Sequence, residues 1–266
     1  MTTSEVIGSS GRIRWMLSDV VTVTWRNLLG FLRIPEALFF STLQPVMFVL
    51  LFRYVFGGAI HVEGTAYVDY LMPGIFVQTV CFGAVATSIG LAEDLQKGLI
   101  ERFRALPMAR IAVLGGRTSA DLVRNVFVVA IMTGVGYLVG FRIGTNAALF
   151  LVGALLLLVF AYSLSWGFSV VGLSAPNSET AQVMSFPLLF PLTFASSAFV
   201  PVSSMPGWLQ AFAAHQPVSL VVDAARSLML GGAYHSTSAE LQALAWCVGL
   251  LAVLVPLGVW RYRRTA

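Results

Sequence analysis

AALFLVGALLLLVFAYSLSWGFSVVGL, residues 147–173, runs for 27 residues without a charged side chain. A helix rises about 1.5 Å per residue, so roughly 20 apolar residues cross the hydrocarbon core of a bilayer. This stretch is long enough to cross with tilt. Five further apolar runs flank it, at 38–57, 70–92, 118–140, 180–200 and 241–260. The run at 70–92 has no charge, and that at 118–140 has Asp121 and Arg124 only in its first two turns. Pro45, inside the first run, is tolerable in a membrane helix. Composition agrees: 58% of the 266 residues are hydrophobic and 11% charged, where a soluble domain carries about 25% charged residues. A soluble enzyme, a disordered chain and a nucleic-acid module are excluded. The sequence reads as an all-α polytopic integral membrane protein with six transmembrane helices.

The remaining segments organise around those spans. Residues 1–34 form a cytoplasmic N-terminus, and 35–266 the transmembrane domain. In 12–34, Trp15, Val21, Trp25, Leu28, Leu29 and Leu32 recur near helical spacing, interleaved with Arg14, Asp19, Arg26 and Arg33. That pattern predicts an amphipathic helix lying in the membrane interface, a short soluble helix being the alternative. Pro35 ends it. The first 30 residues lack the apolar core of a cleaved signal peptide, so the first span serves as insertion signal. Cys81 and Cys247 lie in apolar runs, against a disulfide framework.

Basic residues orient the chain. With the N-terminus in the cytoplasm, 13 of the 16 Lys and Arg fall on cytoplasmic segments and only Arg53, Arg142 and Arg226 on outer ones. Six spans then leave both termini cytoplasmic. The cytoplasmic stretch 93–117, EDLQKGLIERFRALPMARIAVLGGR, holds eight of the 28 charged residues. Its pattern suits either a docking element for a partner or a charged loop that only sets topology. The outer stretch 201–240 is long yet apolar, and reads as re-entrant half-helices after span five, broken at His215-Gln216-Pro217.

Several chemistries are missing. No ionisable residue falls near the middle of a predicted span, which argues against an ion-coupled carrier; Arg53 is close enough to the outer end of its run to snorkel. His61, His215 and His235 stand in no metal-binding spacing, and no GxSxG occurs. The single lysine reads Gln96-Lys97-Gly98, so there is no P-loop. The chain is therefore not an ATPase, and energy from ATP requires a separate chain. No metal and no bound cofactor are expected.

Phe186, Phe190 and Phe194 are four apart and share one helical face. They suit either a wall for an apolar substrate or a packed or lipid-facing stripe. With Gln44 and Gln78, polar residues inside the first two spans, they are the candidate substrate pathway. Gly136, Gly140 and Gly144 have the spacing of a close-packing stripe.

Three segments carry a family resemblance: KGLIERFRALPM at 97–108, FVPVSSMPGWLQ at 199–210, and HQPVS at 215–219 with Ala225-Arg226 beyond it. With six spans and an amphipathic N-terminal helix, the chain resembles the permease subunits of type-2 ABC exporters, in the daunorubicin/doxorubicin-resistance branch. The resemblance implies a second permease copy or paralogue, a cytoplasmic ABC ATPase that carries ATP and Mg, and cargo moved outward across a bacterial plasma membrane. It assigns ATPase coupling to Asp94, Lys97, Glu101, Arg102, Phe103, Arg104 and Pro107, and an outer re-entrant motif to Pro201, Pro206, Trp208, His215, Gln216 and Pro217. Membrane lipid is a further partner and nucleic acid is not. The alternatives are an ATP-independent carrier or channel, and a lipid-acting membrane enzyme whose nucleophile or metal cluster the sequence lacks.

Overall fold

The computed structural model describes residues 9–33, 35–58, 60, 62, 65–104 and 110–264. Among these the regular structure is helical, with no strand: α1 (Ser9–Leu32), α2 (Pro35–Leu50), α3 (Tyr67–Gln96), α4 (Leu99–Arg104), α5 (Arg110–Val139), α6 (Ala147–Gly172), α7 (Ser178–Phe194), α8 (Gly207–His215), α9 (Pro217–Leu230) and α10 (Thr237–Arg264). α2 runs on into a π-helical turn over Leu51–Phe56.

Four helices are long and apolar enough to cross a membrane: α3, α5, α6 and α10. The other two apolar runs make shorter helices. The run at 38–57 is α2 with its π-turn, and the run at 180–200 stays helical only to Phe194 in the 17-residue α7. Local chemistry sets the starts of α6 and α7. The side chains of Asn146 and Asn177 accept hydrogen bonds from the N–H groups of Leu149 and Thr180, capping both helices. The end of α7 follows from Pro187 and Pro191, which withhold backbone donors from its last turns, and from Ala195, which leaves helical geometry at ψ 48°.

α3 is the centre of the bundle. The most apolar window of α3 is 72% buried, against 17% for α10, so α3 is enclosed by protein and α10 is left with most of its surface for lipid. α6, α7, α5 and α9 pack around α3, and α1 lies along α5. Close approach depends on small residues. A Cβ on Gly74 would sit 2.0 Å from the Ala198 carbonyl oxygen, which is backbone and has nowhere to go. Gly74→Ala is expected to cost about 1–3 kcal/mol, read as a lower unfolding temperature in detergent. On the other side, Gly116 receives Val23 of α1, and the Thr24 hydroxyl donates to the Gly116 carbonyl at 3.2 Å.

The glycine stripe resolves into three separate roles. Gly136 makes room for Met72, Gly140 ends α5 at φ +107°, and Gly144 lies against the Leu230 carbonyl. Both cysteines are free and buried.

Candidate functional site

At one end of the bundle, Gly98 takes φ +65°, turning the chain from α3 into the short α4. Ile100 is buried and anchors α4 against the bundle, leaving Glu101 and Arg102 exposed. The side chains of Phe103 and Arg104, and all of Pro107, lie outside the described residues. Lys97 pairs with Glu93 one turn back, and that hydrogen bond holds its ammonium pKa above the usual range. Asp94 is not presented outward with the other coupling candidates. It turns into the bundle, 3.6 Å from Arg117 and 3.8 Å from Arg26.

From Asp94 a ladder of charge runs inward. Arg117 reaches Asp121 at 4.0 Å, and Asp121 faces Arg124 at 3.7 Å. Asp121 is fully buried; the Thr87 hydroxyl donates to it at 2.6 Å, and Arg124 donates to the Gly83 carbonyl at 2.6 Å. The ladder ties α1, α3 and α5 together beside α4. The sequence reading places Asp121 and Arg124 at the margin of a span beginning at 118. α5 instead begins at Arg110, which moves both residues to the middle of the helix. Buried charge survives there because Asp121 and Arg124 are counter-ions and each makes a hydrogen bond, to Thr87 and to the Gly83 carbonyl.

The phenylalanines of α7 do share a face, with successive ring centroids 5.9 and 4.8 Å apart. Phe82 of α3 meets Phe186 and Phe190 edge-on at 6.4 and 6.2 Å, and Phe48 of α2 lies 6.2 Å from Phe194. Phe199 stacks on Phe52 at 4.5 Å and on Phe194 at 5.3 Å. Phe190 is 46% and Phe194 37% exposed, so this aromatic wall faces outward and is not sealed core.

Beside the wall is a small polar notch of about 100 Å³, bordered by Gln44, Phe48, Gln78, Phe82, Arg124 and Asn125. Gln78 is 3% exposed, yet among the described residues neither its Oε1 nor its Nε2 has a hydrogen-bond partner, and Asn125 Nδ2 also lacks one. Gln44 reaches the same notch from an exposed position. The two glutamines are thus brought together, and Asn125 joins them.

The opposite end carries the third constellation. α8 and α9 are two short helices, and Gln216 between them is buried. Its Nε2 donates to the Leu192 and Ala195 carbonyls at 2.8 and 3.0 Å. Pro217 starts α9, where its missing N–H costs nothing. Pro201 is half-buried; Pro206, Trp208 and His215 are exposed, with the His215 Nδ1 3.0 Å from the Ala211 carbonyl. Arg226 is the hub. It donates to the carbonyls of Tyr70 at 3.0 Å, Ser197 at 2.6 Å and Ala198 at 3.3 Å, pairs with Asp223 at 3.0 Å, and stacks 3.5 Å over the Tyr70 ring. The hydroxyls of Tyr67 and Tyr70 donate to the Phe199 and Ser197 carbonyls. Together these side chains replace the bonds that α7 gives up after Phe194. Burial next to the hub raises the pKa of the Tyr234 hydroxyl.

Sequence reasoning used Arg226 only as an outer charge and a motif letter, and gave Asn125 and Tyr70 no role. The signal for Arg226 is that it and Asp223, three residues before it, are the two charged residues of α9. Among the described residues no three His, Cys, Asp or Glu side chains converge as metal ligands would.

Comparison with known proteins bears on the whole bundle. The family model described as ABC-2 type transporter matches residues 18–230. The daunorubicin resistance ABC transporter permease protein DrrB1 of Streptomyces coeruleorubidus is 38% identical over 251 residues, 93% of this chain and 87% of that protein. The probable doxorubicin resistance ABC transporter permease protein DrrC of Mycobacterium tuberculosis is 28% identical over 264 residues, 97% of this chain and 93% of that protein. A putative transport permease, ycf38, of Pyropia yezoensis is 24% identical over 257 residues, 91% and 83% of the two chains. With four membrane-length helices, the buried α3 among them, and a family match over most of its length, this chain belongs to the ABC-2 type transporter family, as a multi-pass membrane permease.

Proposed function

We propose that the chain is the permease of an ATP-driven exporter that moves an apolar or amphipathic cargo out of a bacterial cell. A separate cytoplasmic ABC ATPase supplies the energy, with ATP and Mg bound there, and a second permease copy or paralogue completes the pathway. On this reading α2 and α7 join α3, α5, α6 and α10 as six spans of the plasma membrane, α1 lies in the cytoplasmic interface, and α8 and α9 are the outer re-entrant half-helices. Both termini are cytoplasmic.

The observation that carries the reading is α4: a short helix held to the bundle by buried Ile100, with Glu101 and Arg102 left exposed. A partner that moves α4 moves the end of α3, and the ladder starting at Asp94 connects that end to α1 and α5. A bistable bundle biased through such a contact is what alternating access needs. The aromatic wall and the notch at Gln44 and Gln78 supply the cargo surface. An ion-coupled carrier is disfavoured, because Asp121 is already engaged by Arg117, Arg124 and Thr87.

Glu101→Ala with Arg102→Ala is expected to weaken co-purification of the ATPase by about tenfold or more, as loss of a central contact does, and to lower efflux in parallel. Unchanged association together with unchanged efflux would remove the docking assignment.

A further inference from the structure

A second cavity opens on the outside of the bundle between α1, α2 and α5. It measures about 580 Å³ and is walled by Trp25, Phe31, Phe39, Phe127 and Ile131. The volume lies in the range of about 300–1,000 Å³ typical of sites for drug-sized ligands. Among the described residues bordering it, Arg124 is the single charged one. Arg124 and Val128 border the polar notch as well, so groove and notch meet at the guanidinium.

The two chambers are complementary in chemistry. The groove is apolar, and its walls Trp25, Phe39 and Phe127 are 60–64% exposed, where a membrane-dissolved molecule reaches them directly. The notch offers the amides of Asn125 and Gln78, whose Nδ2 and Nε2 donors have no partner among the described residues, beside the cationic Arg124. Buried donors without partners are unfavourable until a ligand or a water meets them. Asp121, the counter-ion of Arg124, is shared with Arg117. Phe31 lies 5.3 Å from the Arg124 guanidinium and lines the groove at the same point.

We propose that groove and notch form one binding site for a single-chain acidic amphiphile of the cytoplasmic leaflet, its apolar body between α1, α2 and α5 and its carboxylate on Arg124, Asn125 and Gln78. The two unmet amide donors can each meet an oxygen acceptor, and the guanidinium selects an anionic one. Size selects the single chain. The groove, at about 580 Å³, has the size of a site for one drug-sized body, and the notch, at about 100 Å³, suits a carboxylate. The proposal rests on the membrane placement above and on Gln78 as a pathway residue. It adds where the cargo is first taken up, and from which side.

The test uses the full chain in nanodiscs of zwitterionic lipid and a hexadecanoic acid bearing a photoactivatable diazirine. Labelling is expected on α2 and α5 residues of the groove. Palmitate should compete for it about tenfold better than hexadecanol, and dipalmitoyl phosphatidic acid should not compete. Asn125→Leu should weaken labelling about tenfold. Ile131→Trp should abolish it by filling the groove, without touching Arg124 or its ladder. Equal competition by palmitate and hexadecanol overturns the acid selection, and competition by phosphatidic acid overturns the single-chain occupant. Wild-type labelling of both variants overturns the site itself. Labelling is read without ATP, ATPase or efflux, so its failure leaves the exporter reading standing, and loss of α4 docking leaves this one standing.

Discussion

Arg226→Ala is expected to remove on the order of 3–5 kcal/mol of stability and to abolish efflux. The side chain is 3% exposed and holds four groups at once: three carbonyls and Asp223. Its stack on Tyr70 at 3.5 Å adds about 2 kcal/mol for a desolvated cation–π pair. Truncation leaves the Ala198 carbonyl without this donor, inside a segment that has no helical bonds of its own. Arg226→Lys should recover only part of the loss. An ammonium keeps the charge but not the fork that reaches Tyr70, Ser197 and Ala198 together. The natural reporter is thiol chemistry: Cys81 and Cys247 are the only cysteines and both are buried, so a thiol-reactive dye signals unfolding on heating. An unchanged midpoint for Arg226→Ala would show that the cap is held by other contacts.

The second large effect is expected at Asp121. Asp121→Ala strips the counter-ion from Arg124 and leaves Arg117 with Asp94 alone; the two arginine side chains are 8% and 14% exposed. Breaking one side of a buried pair costs about 3–5 kcal/mol, because the remaining charge stays desolvated. Asp121→Asn should be nearly as harmful: it keeps an acceptor for Thr87 but cannot neutralise two guanidiniums. Adding Arg124→Leu to Asp121→Ala should restore part of the stability, a coupling of about 0.5–3 kcal/mol as expected for contacting residues. Additive losses in that cycle would mean that the two side chains do not act as a pair.

The helices were legible because membrane helices need long stretches with few charges. The runs at 70–92 and 241–260 each lie within a single helix, and those at 118–140 and 147–173 do so to within one residue at their C-terminal ends. Their limits were less legible. α5 begins inside the charge-dense segment before 118, where no hydropathy rule extends a span. The run at 180–200 stops being helical at Phe194 because side chains far along the sequence, Gln216 and Arg226, satisfy the carbonyls beyond it. Hydropathy carries no trace of such bonds. The candidate site divides the same way. The four-residue spacing of Phe186, Phe190 and Phe194 gives one face, whereas Phe48, Phe82 and Phe199 join it from other elements. Gln78 stood out as an amide in an apolar run; Asn125 did not, lying beside Arg124 in a segment read as the margin of a span.

The backbone after Phe194 is fastened to α9 and α3 by side chains, not to α7 by its own amides. Mechanically, the last turn of α7, the Tyr67–Tyr70 end of α3 and α9 are therefore one block clamped on Arg226. α8 has no such clamp, with Trp208 and His215 both exposed. On the proposed topology, opening toward the outside is then a displacement of whole blocks along their seams, and the seam beside exposed α8 is a candidate for the first to part.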